Sequence, residues 1–441
     1  MKVKPHFKTI KMKQKSLVII CIAFSLSLFA QKSNGIYGDS NWMNNWTNFK
    51  PATAEYPETN EVLPDIINKD TKLVSTKTYL LNNRVYVTNN ATLTIEPGTV
   101  IRGGVGDIDY CGTLIITQGS KLIAEGTEKA PIVFTSEKAA TVRKPGNWGG
   151  IIILGNAPVN KIDKDNKHVL TDFNLDTTKA TYGGDKPEDN SGSLKYVRIE
   201  FAGKKINGSK EINALILAGV GKKTALSHIQ VSYSNGDAYQ ITGGEVAMNN
   251  VISFRNDDDD FDFSEGTQAT LSNSIAIRHP FSSGSGNSRC FEIDSYDKQE
   301  NADMTKKLTN VKANNITFVN IEENNQGLVR EAIYLKENCN LTFTNSIVSG
   351  FAPFVLLGEK ITLSPENFAK INLKNIIVNR CKENLVSEEQ SYNGKLKYWP
   401  DPASMEFEIA TTPIVDLFTS IDLKNNPDFR KKQSAILVNN R

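Results

Sequence analysis

The chain has 441 residues, 39% hydrophobic and 23% charged, with a formal charge of +2, a length that suits one large domain or two ordinary ones. Six lysines and no acid precede Leu17, so loss of a leader would take the formal charge from +2 to about −4 and remove nucleic acid from the expected partners. Beyond that leader no apolar run is long enough to span a bilayer.

In chain order, residues 1–30 come first. Leu17 to Phe29 is an apolar run of thirteen residues that ends at Ala30 with Leu28 before it, too short for a membrane span and of the form of a secretory signal peptide, with Met12 as an alternative start. The expectation is an exported chain, at the cell surface or outside it, with the periplasm as the other compartment. Residues 31–72, which carry Trp42, Trp46 and Pro51, read as an N-terminal cap. Cys111, Cys290, Cys339 and Cys381 remain after the leader; they allow three disulfide pairings and are too widely spaced for a metal site.

Repeats follow. LTIEPGTVIRG at Leu93–Gly103 is echoed by LIITQGSKLIAEG at Leu114–Gly126, with Ile95 and Ile116, and Gly98 and Gly119, each 21 apart. Each copy is a short strand, a glycine turn and a second strand, and PIVFTS and WGGIIILGNAPV continue the pattern without a helical period. Further on the spacing is 23, in the series Ile229, Ile252, Ile275 and in the series Val231, Phe254, Ile277. An Asn-x-Ile pattern at Asn250 and Asn273 returns around Asn315, Asn345 and Asn375; asparagine tolerates the left-handed backbone of a tight corner, and its amide can bond to the copy one rung above. The fold expected is all-β, a single-stranded right-handed parallel β-helix over 73–380, with residues 381–441, including Trp399, as a C-terminal cap.

The strings WTNFKP, LTIEPGTVIRG, GNWGGIIILGNAP, LKYVRIEFAG and HIQVSYSNGDAYQ with the aspartate run after it resemble a family of secreted right-handed β-helix repeat proteins of Gram-negative bacteria. The resemblance implies fold and export, and carries no activity with it.

FRNDDDDFDFSEG holds five aspartates among Asp257–Asp262. The 23-residue shift places Asp260 on Asp237, and the following coils offer Asp262, Glu292, Asp294 and Glu331, so an acidic ladder is expected on one outer face. Stacked carboxylates about 5 Å apart repel by roughly 3 kcal/mol at an effective dielectric near 20. Relief comes from arginines such as Arg255, Arg278, Arg289 and Arg330, or from a hard cation such as Ca²⁺ held by Asp237, Asp260, Asp262 and Asp294. Tyr239, Arg255, Arg278 and Glu292 are the candidate ligand-binding residues, with Tyr233, Tyr296 and Tyr334 as further strand aromatics able to stack on sugar.

The reading favoured is non-catalytic binding of a polysaccharide or another surface component, with a structural or adhesive role beside it. The catalytic alternative is a polysaccharide hydrolase or lyase. Asn235-Gly236-Asp237, Asp259-Asp260 and His279 are similar to the polygalacturonase-type pattern, in which one carboxylic acid protonates the leaving oxygen and another activates water. His279 is flanked by Arg278 and Pro280 instead of glycines, and no Arg-x-Lys follows.

Overall fold

A computed structural model describes Met1 and residues 33–439, apart from 108–109, 163–167, 171–172, 174, 208–209, 282–287, 323–328 and 397–404. The expected signal peptide and Trp399 lie outside the described residues. Among those residues no helix is long and apolar enough to cross a membrane.

Parallel strands stack coil upon coil into three sheets. The first sheet runs from Thr71–Leu73 through Thr92–Ile95 and Lys121–Glu125 to Glu245–Asn249, Gln268–Ser272 and Asn310–Asn314. The second runs from Glu61–Val62 through Thr78–Leu81 to Ile252–Phe254, Ile275–Arg278, Thr317–Asn320 and, last, Met405–Ala410. The third has eleven strands from Ile66–Ile67 to Leu385–Ser387. This is the parallel β-helix that the spacing predicts, and its coils extend at both ends past the expected limits of 73 and 380, from Glu61 to Ala410.

The corner between the first and second sheets is built as expected: Asn250, Asn273, Asn315, Asn345 and Asn375 all have positive φ, between 47° and 57°, which asparagine adopts more readily than most side chains. Their amides do less stacking than expected. Asn375 donates to Asn345 at 2.7 Å, but Asn273 and Asn315 bind the backbone of Tyr37, Ser33 and Gly35.

The 21-residue echo is a shared local motif at two different corners. Gly98 and Gly119 both turn the chain at φ of 82° and 84°, yet Ile95 lies in the first sheet and Ile116 in the third, and Leu93 stacks on Leu122. The 23-residue register also needs correction. Ile252 stacks on Ile275 but on Gln230 in the preceding coil, and Phe254 stacks on Ser232, so this step is 22 residues. Ile229 and Val231 face the solenoid interior, whereas Ile252, Phe254, Ile275 and Ile277 face outward.

Those outward side chains are covered, which corrects the expected N-terminal cap. Residues 33–60 form a strap along the outside of the second sheet. Gly35 N–H donates to the Asn345 carbonyl at 2.8 Å, Tyr37 N–H to Asn273 Oδ1 at 2.8 Å and Asn48 N–H to Gln230 Oε1 at 2.8 Å. Ile36, Met43, Trp46 and Phe49 close over Ile252, Phe254, Ile275, Ile277 and Val319. The C-terminal strands Phe418–Ser420 and Asp428–Lys431 add Phe418 and Phe429 to the same cluster, and Arg430 Nη1 donates to the Gly38 carbonyl at 2.8 Å. Cys290, Cys339 and Cys381 are free thiols.

Candidate cation site

The site is set by the third sheet, whose inner column stacks Leu215, Tyr239, Phe261, Phe291 and Ile333. Phe261 and Phe263 therefore serve the core, and stacking fixes the chain that leads into each strand. Two residues before each of these core positions lies a polar column at the corner between the second and third sheets: Asn213, Asp237, Asp259, Arg289 and Glu331. Asn213 Nδ2 donates to Asp237 Oδ2 at 2.8 Å, Asp259 N–H to Asp237 Oδ1 at 3.1 Å, Arg289 N–H to Asp259 Oδ1 at 2.6 Å, and Arg289 Nε to Glu331 Oε1 at 2.6 Å.

Asp237 thus stacks on Asp259, and the expected pairing of Asp237 with Asp260 is corrected. Asp260 is 0% exposed, inside the solenoid, where Oδ1 accepts from Ser253 and Oδ2 accepts from Arg278 Nη1 at 2.9 Å. It is enclosed away from the outer face and cannot join an outer cation site. Arg278 is 1% exposed; besides Asp260, it bonds the Asp258 and Arg289 carbonyls at 3.0 Å each, so it pins the acidic corner from within and offers nothing to an outside ligand. Tyr239 is also fully buried, its hydroxyl 2.9 Å from the Ile229 and Ile252 carbonyls, and is corrected from a ligand-binding residue to a core residue. Arg255 lies over the Phe254 ring at 5.4 Å, on the outer side of the second sheet. His279 pairs with Glu322 at 2.9 Å, so the Asp259-Asp260-His279 grouping is not assembled: its two acids point to opposite sides of the wall.

What the corner does assemble is Asp237, Asp258 and Asp259, with one carboxylate oxygen from each within 4.8 Å of the others. Calcium–oxygen bonds of about 2.3–2.6 Å put ligands on opposite sides of the ion about 5 Å apart, so the cluster has the dimensions to hold such an ion. Asp237 and Asp259 are 9% and 5% exposed. The Asp259 carboxylate accepts at Oδ1, and no partner for Oδ2 occurs among the described residues. The next third-sheet column holds Gln240, Asp262, Glu292 and Tyr334 in register, and the enclosed Gln240 Oε1 has no hydrogen-bond partner among the described residues. A buried carbonyl oxygen left in this state costs about 1–3 kcal/mol, and a hard cation is one group that would satisfy it.

Charge is balanced on one half of this face only. Arg289 pairs with Glu292 and Glu331, Lys336 pairs with Glu292 and lies 3.7 Å from Asp294, and the Tyr334 ring has the Arg289 guanidinium 4.4 Å from its centre and the Lys336 ammonium 5.9 Å from it. Asp237, Asp258, Asp259 and Asp262 form no ion pair among the described residues. Burial pushes Asp258 up to about 7, with Glu211 adding to it and Arg278 opposing. Burial and neighbouring acids raise Asp237, Asp259 and Asp262 well above the usual carboxylate range. Burial also brings Asp257 to about 6 and, against the pull of Lys336, Asp294 to about 7. Beyond Asp294 the face continues into a groove of about 170 Å³ lined by Tyr296, Tyr334, Lys336, Lys360 and Glu388.

Asn213, Asp258 and Lys336 belong to the site and are missing from the residues expected. Asn213-Ala214 and Asp237-Ala238, the same step 24 residues apart, carried the signal for the first. Asp258 was hidden inside a run of four identical residues. With this geometry in place, the comparisons add one finding: a family model described as a pectate-lyase-like β-helix domain matches residues 65–409. No curated protein and no solved structure matches the chain.

Proposed function

The chain belongs to the family of pectate-lyase-like β-helix domains, and from that premise we propose that it is an exported protein that binds a polysaccharide along the outer face of its third sheet, through a divalent cation of the calcium type. The observation that carries this reading is the convergence of Asp237, Asp258 and Asp259 within 4.8 Å, none of them in an ion pair among the described residues although Arg278 and Arg289 lie near. These three carboxylates would hold the ion. The ion would supply a positive centre for the hydroxyl and carboxyl oxygens of a sugar. Glu292, Tyr334 and Lys336 extend the polar surface toward the groove at Tyr296, a combination of charged groups and an aromatic edge suited to a polyhydroxylated ligand.

Catalysis is the second reading, favoured by Asp258, whose position near 7 suits proton transfer at neutral pH. Two features weigh against it. Arg289, whose backbone N–H bonds the Asp259 carboxylate, would be the base of a lyase, yet although burial acts to lower it, Asp259 and Glu292 more than offset that effect and hold the guanidinium protonated. Asp237 and Asp259, with oxygens within 4.8 Å, are closer than the separation of about 6.5–9.5 Å that an inverting hydrolase needs to seat its water.

A panel of acidic and neutral polysaccharides, with calcium present, separates the two. Retention without turnover, weakened in Asp258→Asn and Asp259→Asn, is the expected result. Release of reducing ends, or of an unsaturated product absorbing in the ultraviolet, that disappears in Asp237→Asn and Asp259→Asn would replace binding by catalysis.

A further inference from the structure

The corner between the third and first sheets carries a second feature, on a different side of the solenoid from the acidic face. Several connecting segments between strands meet there and are bonded together. Gly244 N–H donates to the Pro158 carbonyl at 2.8 Å and Lys222 N–H to the Pro187 carbonyl at 3.0 Å. Asn160, 1% exposed, donates from its backbone to Glu265 and from its side chain to Ser295, and accepts from Asp303 N–H. Lys306 Nζ reaches the Val159 carbonyl at 3.0 Å. Gly266, at φ 82°, lets the chain pass beneath; a Cβ there would lie 2.6 Å from the Lys307 carbonyl oxygen. The walls are therefore fixed by hydrogen bonds before any ligand arrives.

Between them lies a groove of about 310 Å³ whose lining includes Pro158, Pro187, Lys306 and Lys307. It runs on into a second hollow of about 260 Å³, sharing Glu245, Gln268 and Lys307 with it and floored by Ala247 and Thr270 on the first sheet. Lys222, Lys307 and Lys312 are exposed on the rim. Lys222 is held by Glu188, but Lys307 and Lys312 pair with no acid among the described residues, and Glu245 is the single carboxylate in the lining. The Gln268 amide nitrogen is used on the Gly266, Thr267 and Leu308 carbonyls, which leaves its oxygen, with the Asn310 amide and the Thr270 hydroxyl, for a ligand.

We propose that this groove is a second binding site, for an anionic polysaccharide strand. The exposed rings of Pro158 and Pro187 match the face of a pyranose ring, Asn310 and Thr270 match its hydroxyls, and the two ammonium groups of Lys307 and Lys312 match carboxylate or sulfate groups along the strand. The site needs no metal and is built from residues of the first sheet and its corner, so it stands apart from the proposed cation site.

The test is retention of the full chain, in chelator, on an immobilised polyuronate, on sulfated dextran and on neutral dextran. Wild type is expected to bind one or both anionic polymers and not the neutral one. Lys307→Glu/Lys312→Glu should lose on the order of tenfold in affinity while melting as wild type does, since both side chains are exposed. Asp258→Asn/Asp259→Asn should bind as wild type under these conditions, so loss of the acidic face leaves this site standing. Wild type that fails to bind in chelator, a lysine variant that binds undiminished, or equal competition by vesicles of acidic phospholipid would each overturn the assignment.

Discussion

Arg278→Met is expected to destabilise the protein by about 3–5 kcal/mol, the usual consequence of leaving one member of a buried ion pair alone. Asp260 is 0% exposed and its partner 1%, so solvent cannot take over when the guanidinium is removed. The same substitution frees the Asp258 and Arg289 carbonyls that Arg278 holds at 3.0 Å, which loosens the corner that carries the acidic cluster. Asp260→Leu alone should cost a similar amount, because it leaves the guanidinium unpaired. The double variant Asp260→Leu/Arg278→Met should lose less than the two single losses added, since neither charge is then stranded. Urea unfolding of the four proteins decides the matter. Single variants within about 1 kcal/mol of wild type, or strictly additive losses, would mean that the pair is solvated or otherwise relieved.

The second large effect concerns the strap. Ile252→Asp places an unpaired carboxylate under Trp46 and Phe49, where it can be neither hydrated nor neutralised by a partner, at a cost of several kcal/mol. Relief is available by lifting residues 33–60 off the second sheet, because the inward neighbours Val251 and Ser253 are unchanged. The expected outcome is a lower melting temperature, strand signal retained in circular dichroism, and proteolysis concentrated within residues 33–60. A variant whose strap stays as resistant as wild type would contradict the placement of Ile252 beneath it.

That same residue marks where the sequence stops being legible. Gly98, Gly119 and the corner asparagines announce a solenoid, because the backbone there must adopt positive φ and few other side chains do so readily. The register between coils is harder. The second sheet is covered on both sides, by the core within and the strap without, so its strands read as apolar at successive positions and alternation no longer says which side is inside. Ile252 and Phe254 could be aligned with Ile229 and Val231 or shifted by one. A one-residue slip turns every side chain to the opposite face, and it is this slip that moves Asp260 from the interior to the surface and hides the stacking of Asp237 on Asp259. The excess of acid in the region was plain from composition; which acids meet depended on that single step. Tyr239 was misplaced for the same reason, since its stacking partner is Phe261 and not Asp262.

The proposed cation site makes a signed statement about pH. Asp258 and Asp294 stand near 7 and Asp257 near 6 in the folded chain, all above the ordinary carboxylate value of about 4. A carboxyl group raised by folding binds more protons folded than unfolded, so its cost is absent below the unfolded value, grows as pH rises through the window between about 4 and 7, and is complete above it. In metal-free protein, stability should therefore fall from pH 5 to pH 8. A cation that replaces the Asp258 proton offsets part of the loss at pH 8 and adds little at pH 5, where protons compete for the same oxygens. At a hundred times the dissociation constant its binding contributes about 2.7 kcal/mol. The most direct measurement is thermal melting of chelator-treated protein with and without millimolar calcium at pH 8 and pH 5. The expected result is a rise of a few degrees at pH 8, a smaller one at pH 5, and none in Asp258→Asn/Asp259→Asn; a wild-type melting curve at pH 8 that neither calcium nor chelator moves would contradict the cation site.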